Sequence, residues 1–159
     1  MISAAHVNKI YERNLYVINK QVEGLTHQDS LLQPEFRANC MNWVLGHMLD
    51  GRQDVIELLG LTRNVSEDLI GRYGYDSEPI SAGSTDALDL PVLLEHFEES
   101  GKLLAKGFAD LDEERWLAAS NEKGTPLWKR VEFLVWHEAY HVGQLELLRQ
   151  LAGKNDKVI

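Results

Sequence analysis

The sequence predicts an all-α domain built on four long helices. Three observations carry this: apolar residues recur at helical spacing in four separate segments, glycine and proline punctuate the ends of those segments, and no convincing strand pattern lies between them. A length of 159 residues suits a single domain spanning 1–159, with a core large enough to fold without cross-links.

The first helix is expected from about Ser3 to Glu23. Ala4, Val7, Tyr11, Leu15, Ile18, Val22 and Leu25 form one stripe, and Gly24 is its stop. A polar connection with Pro34 follows. The second helix is expected from about Asn39, read as its N-cap, to Leu59, with Gly60 behind it. Its inward face is read as Cys40, Trp43, Val44, His47, Gly51, Asp54 and Leu58, with Asp50 at the edge. The long connection from Gly60 to Leu88 holds a short helix capped near Ser66 and ending at Gly71, and the connection with Tyr73 and Tyr75 is expected to shape a pocket mouth.

The third helix runs from about Asp89 to Asp110. Asp89 caps it, Pro91 sits in its first turn, and Leu93, Phe97, Leu104, Phe108 and Leu111 make its buried stripe. The fourth starts at Thr125-Pro126, read as a cap followed by proline at the first helical position, and runs to about Leu151. On this helix Leu134, His137, His141, Leu145 and Leu148 share a face. Phe133, Trp136, Tyr140, Leu147 and Leu151 widen the apolar sector beyond what one core requires, which predicts a homodimer through this helix.

Composition narrows the function classes. A single cysteine, Cys40, excludes an intramolecular disulfide. The first nine residues carry no apolar leader core, and no apolar run approaches the roughly 20 residues of a membrane span. A cytoplasmic setting is therefore expected. The net charge of −9, with no basic stripe to offset it, opposes binding to phosphate backbones. The expected partner is a small-molecule substrate, not nucleic acid or membrane.

His137 and His141 stand four apart in an apolar helix, the spacing at which two imidazoles reach one metal ion. His47 also sits mid-helix on an otherwise apolar face and is the natural third ligand if the second and fourth helices are neighbours. A lone buried histidine is more often a hydrogen-bonded core residue. The pair at 137 and 141 tips the balance, because one ion satisfies both rings. Cys40 lies seven residues from His47, about 10 Å along a helix, and cannot share its ion. His6, His27 and His96 fit less well: one at a stripe edge, one in a loop, one on a charged side.

Several polar residues nearby keep more than one reading. Asp54 is the candidate to hold an imidazole tautomer from behind. Glu138 lies about 60° around the helix from His141; it is read as a residue supporting the site, a capping group, the partner of a basic group, or a base. Gln144, one turn after His141, binds substrate or makes an interhelical hydrogen bond. Trp43, Trp136 and Tyr140 are read as core and interface mass.

His137-Glu138-Ala139-Tyr140-His141 also matches the H-E-x-x-H string of zinc peptidases. That reading is disfavoured: no histidine follows His141, the only acidic residue beyond Glu146 is Asp156 in the tail, and no sheet is present to hold a peptide.

A stronger resemblance is to the DinB-like (DinB/YfiT) superfamily of metal-binding four-helix bundles. It is carried by Asn42-Trp43-Val44-Leu45-Gly46-His47, by the Tyr73-Gly74 loop, and most specifically by Trp136-His137-Glu138-Ala139-Tyr140-His141-Val142-Gly143-Gln144-Leu145 with Leu148-Arg149. Asp112 to Trp116 and Gly124-Thr125-Pro126-Leu127 also look typical of the connection before the last helix. The resemblance implies an up-down-down-up four-helix bundle with a long connection between helices two and three. It implies that His47, His137 and His141 bind a divalent metal, with zinc or nickel expected first and iron or manganese as further options. It also implies the leading function, transfer of a low-molecular-weight thiol, since characterised members include transferases and isomerases using bacillithiol, mycothiol or glutathione. A metal-dependent hydrolase, and a non-catalytic stress-related interaction bundle with a structural metal, are the alternatives. No catalytic side chain is assigned.

Overall fold

The structure, a computed structural model, describes residues 2–158. Those residues are helical throughout their regular structure, with one isolated bridge between Ala119 and Pro126. The helices are α1 (Ala4–Val22), α2 (His27–Ser30), α3 (Met41–Leu58), α4 (Glu67–Ile70), α5 (Leu90–Ala109), α6 (Glu113–Leu117) and α7 (Leu127–Leu151), with a 3-10 turn at Gly71–Tyr73. Among the described residues no helix is long and apolar enough to cross a membrane.

Local chemistry sets most boundaries. The Ser3 side chain accepts from the His6 amide at the start of α1, and Gly24, at φ 74°, takes the left-handed conformation that ends it. α2, not expected from the sequence, is a single turn held by a capping box in which Thr26 and Asp29 satisfy each other's backbone amides. Asp112 caps α6 in the same way, accepting from the Arg115 amide.

Two expected caps are corrected. α3 is capped by Cys40, which makes no side-chain bond, and Asn39 lies one residue outside. Burial decides that start: Cys40 is fully enclosed, and the Asn42 amide is anchored across the fold on the Leu88 carbonyl. α7 begins at Leu127, so Pro126 is its cap and not its first helical residue. The reason is the bridge before it, where Ser120 donates to the Thr125 carbonyl and Leu127 to that of Ala118, holding Thr125 and Pro126 extended.

α1 packs against α5 and α7, and α3 packs against the same two. Their buried side chains form two apolar clusters. One gathers Ile18, Leu45, Leu49, Phe97 and Leu145; the other gathers Val7, Val55, Leu104, Val131 and Val135. Between them on each long helix stands a buried polar residue: Asn14, Arg52, Ser100 and Glu138. Arg52, fully buried, donates to both oxygens of Glu138 at 2.7 and 2.9 Å, to Ser100 Oγ at 3.2 Å and to the Tyr11 carbonyl at 3.4 Å. Asn14 donates to Glu138 Oε1 at 3.1 Å.

The buried sector of α3 also differs from the expected face. Leu45, Met48, Leu49, Arg52, Val55 and Ile56 point into the core, whereas Asp54 is exposed and Gly51 half-buried. α3 is enclosed on more than one side, by α5, by α7 and by the connection that follows it. That connection is seated by Tyr73, whose ring packs against Gly46; a Cβ there would come to 2.0 Å from it.

Replacing one member of a buried ion pair strands the other charge, at a cost of about 3–5 kcal/mol. Arg52→Met is therefore expected to lower the urea unfolding free energy by that amount, and the double variant Arg52→Met/Glu138→Leu to recover much of it. A double variant no more stable than the single one would locate the loss in packing and not in the stranded carboxylate.

Candidate metal centre

α3 and α7 pack together, and one turn before Arg52 on α3 and on either side of Glu138 on α7 stand the three histidines. His47, His137 and His141 each offer a ring nitrogen, and these nitrogens lie within 4.8 Å of one another. Bonds of about 2.0–2.1 Å to a tetrahedral ion place ligand nitrogens roughly 3.3 Å apart, so small ring rotations suffice. The Nε2 atoms of His137 and His141 already face each other at 3.0 Å. Among the described residues this is the cluster of histidine, cysteine and acidic side chains with ligand spacing.

The rings are set from outside. His47 Nδ1 donates to the Tyr73 carbonyl at 2.8 Å, which leaves its Nε2 lone pair free. His141 Nδ1 donates to the side-chain oxygen of Gln144 at 2.7 Å, with the same consequence. Trp43 stacks on the His47 ring with centroids 4.7 Å apart, and its indole N–H is fixed on Ser77 Oγ at 2.8 Å. Phe133 stacks on His137 at 6.0 Å.

Burial favours the neutral form of the two α7 rings. It pushes the His141 imidazole down to about 4, against the opposing pull of the Gln144 hydrogen bond. Burial, and then the nearby His47, also lowers His137. Neutral imidazole is the form that binds a cation. The donor set, its protonation and the facing nitrogens all fit a divalent ion.

The other sequence candidates lie elsewhere. Asp54 is corrected: it accepts from Arg63 at 3.1 Å and contacts no imidazole, because the carbonyl of Tyr73 and the oxygen of Gln144 occupy the positions it was expected to fill. Glu138 faces away from the histidines into the core, paired with the basic group of Arg52. Gln144 both orients His141 and lines a cleft. His27, expected in a loop, is in α2 and accepts from the Leu90 amide, while His96 lies 3.5 Å from Glu99. Tyr73 is fully buried and Tyr75 is exposed at the cleft, so the two share no role. The contributions of Arg52, Trp43 and the Tyr73 carbonyl were not read from the sequence. Arg52 had a signal, a lone cation within the apolar run of α3; the carbonyl had none.

The cleft has a volume of about 540 Å3 and reaches the centre through His141. Its walls come from Pro34 and residues 36–39, from Trp43 and Val44, from residues 75–77 and Pro79, and from Leu147 and Leu148.

The chain belongs to the DinB superfamily, whose family model matches residues 10–145. No curated protein matches it in sequence. Among solved structures it is similar to a conserved protein from Enterococcus faecalis, with a TM-score of 0.74 at 15% identity, over 97% of this chain and 99% of that one. At that identity the likeness speaks for the fold alone.

Metal analysis of purified protein tests the centre. Close to one divalent ion per chain is expected for the wild type and a sharp loss for His141→Ala, with the circular dichroism of the helices retained in both. Equal metal content in the two proteins would mean that the imidazoles do not form the site.

Proposed function

We propose that this member of the DinB superfamily is a divalent-metal-dependent enzyme transferring a low-molecular-weight thiol to a small electrophile, with His47, His137 and His141 holding the ion. Zinc or nickel suits three imidazoles best, with iron or manganese as further options; availability decides among such metals. Bound there, an ion with three neutral ligands keeps its full charge and lowers the pKa of a coordinated thiol or water.

The observation that carries this reading is where the cleft opens and what its walls lack. It meets the centre at His141, and its walls carry no cysteine. The chain's one thiol, Cys40, is enclosed in the core, and burial raises its pKa. A sulfur nucleophile must then arrive with a cosubstrate. Hydrolysis by the peptidase route is disfavoured because the carboxylate it would use as base, Glu138, is neutralised by Arg52 and turned into the core. The chain's own residues supply position: Tyr73 and Gln144 fix two tautomers, and Trp43 braces a ring.

We read the architecture as an up-down-down-up bundle. Arg149 near the end of α7 donates to the carbonyls of Gln21 and Glu23 at the end of α1, as parallel neighbours would. Asn42 at the start of α3 reaches Leu88 just before α5, which supports a second parallel pair. A cytoplasmic setting accords with use of a reduced small thiol. A two-fold dimer is supported by α7, where Phe133, Trp136 and Tyr140 are all more than half exposed and follow one another at helical spacing. Trp136→Glu is expected to shift sedimentation from dimer to monomer; a wild-type monomer would remove the dimer.

Cobalt substitution separates the functional readings. Adding glutathione or 2-mercaptoethanol to the cobalt protein is expected to produce a sulfur-to-cobalt charge-transfer band and a change in the visible spectrum. A spectrum indifferent to thiols would favour the structural-metal bundle. Ester cleavage without any thiol would favour a hydrolase.

A further inference from the structure

The cleft carries information about its ligand beyond the metal. Three of its apolar side chains stand in water: Phe36 is 68% exposed, Tyr75 86% and Leu147 62%. Exposed large apolar side chains gathered on one concavity mark a surface that another molecule covers. Among them stands one cation, Arg37, which makes no ion pair or hydrogen bond among the described residues. Four other arginines are engaged with carboxylates: Arg52 with Glu138, Arg63 with Glu57 and Asp54, Arg72 with Asp86, Arg149 with Asp156. In a chain of net charge −9, an unengaged arginine in the cleft that reaches the centre is a point that attracts an anion.

The cleft lining also includes Asp76, the described non-glycine residue with a left-handed backbone, at φ 62°. Its segment is pinned: Ser77 accepts from Trp43, Arg72 donates to the carbonyls of Glu78 and Pro79, and Gln33 donates to that of Ile80. That last bond joins the wall bearing Asp76 to the segment bearing Arg37. The two charges thus face a common space without pairing with each other.

Resting on the reading of this cleft as the substrate site, we propose that Arg37 is the anchor for a carboxylate, and that the ligand is an amphipathic monoacid with an apolar body lying along Phe36, Tyr75 and Leu147. A guanidinium fork matches a carboxylate with two parallel bonds. Asp76 in the same space penalises a second negative charge, which favours a carboxylate over a phosphate dianion. Arg37 acts by binding and orienting the ligand and takes no part in bond making.

The test uses metal-free protein, because a carboxylate would bind a metal whatever Arg37 does. After chelation and dialysis, 3-phenylpropionate and its neutral amide are titrated into the protein by calorimetry. The acid is expected to bind about tenfold more tightly than the amide. Arg37→Gln should weaken the acid about tenfold, and Asp76→Asn, which tolerates the same left-handed backbone, should tighten it two- to threefold. Neither variant should move the amide. Equal affinity of acid and amide, absence of binding by both, or an acid indifferent to Arg37→Gln would each overturn the proposal. Acid preference in a protein that never takes up metal would sink the metal reading alone; full metal content without acid preference would sink this one alone.

Discussion

Everything in this molecule is registered to one buried ion pair. Arg52 and Glu138 join α3 to α7, and their partners Asn14 and Ser100 bring in α1 and α5, so all four long helices meet at one polar level between two apolar clusters. Apolar packing is forgiving of sliding; a bidentate guanidinium–carboxylate contact is not. Removing two charges from water is expensive, and here nearly every donor and acceptor around the pair is used, which is the condition under which such a pair is tolerable. What it provides is alignment. His47 lies five residues before Arg52, and His137 and His141 flank Glu138, so the register that pairs the charges also brings the three imidazoles together.

The glutamate between the histidines therefore has a meaning opposite to the one its motif suggests. In a zinc peptidase the glutamate of such a string faces the reacting water. Here helical geometry turns it roughly 60° from His141, toward α1 and α3, where it is 4% exposed and fully engaged. The centre is left with two α7 rings whose neutral form burial favours, and two acceptors, the Tyr73 carbonyl and Gln144, orient His47 and His141 from behind. The cleft reaches that centre beside His141, which is why the character of the cleft walls bears so directly on what the protein handles.

The four long helices were legible because their stripes and glycine stops are strong local signals, as Val7, Tyr11 and Ile18 on α1 illustrate. The triad of histidines could be named because two of them are four apart and the third is isolated on an apolar run. What could not be read depended on distant partners. Asn39 and Thr125 are good caps by residue type, yet the burial of Cys40 and the bridge at Ala119 moved both starts. Asp54 looked inward on a helical wheel, but α3 is enclosed on several sides, so the wheel's apolar sector did not identify which edge meets α7. Arg52 and Glu138 are 86 residues apart, and nothing local joins them.

Tyr73 deserves a last look for what it separates. Its ring occupies the space beside Gly46, its carbonyl takes the proton of His47, and its hydroxyl donates to Asn42 and accepts from the Leu88 amide. One residue thus rivets both ends of a fifteen-residue excursion to the face of α3. Between those rivets Ser77 and Ile80 are tied inward, to the Trp43 indole and the core, whereas Tyr75 stands exposed at the cleft and plays no part in seating the histidine. Such a division lets the brim be rewritten at its outermost positions while the three imidazoles keep their places.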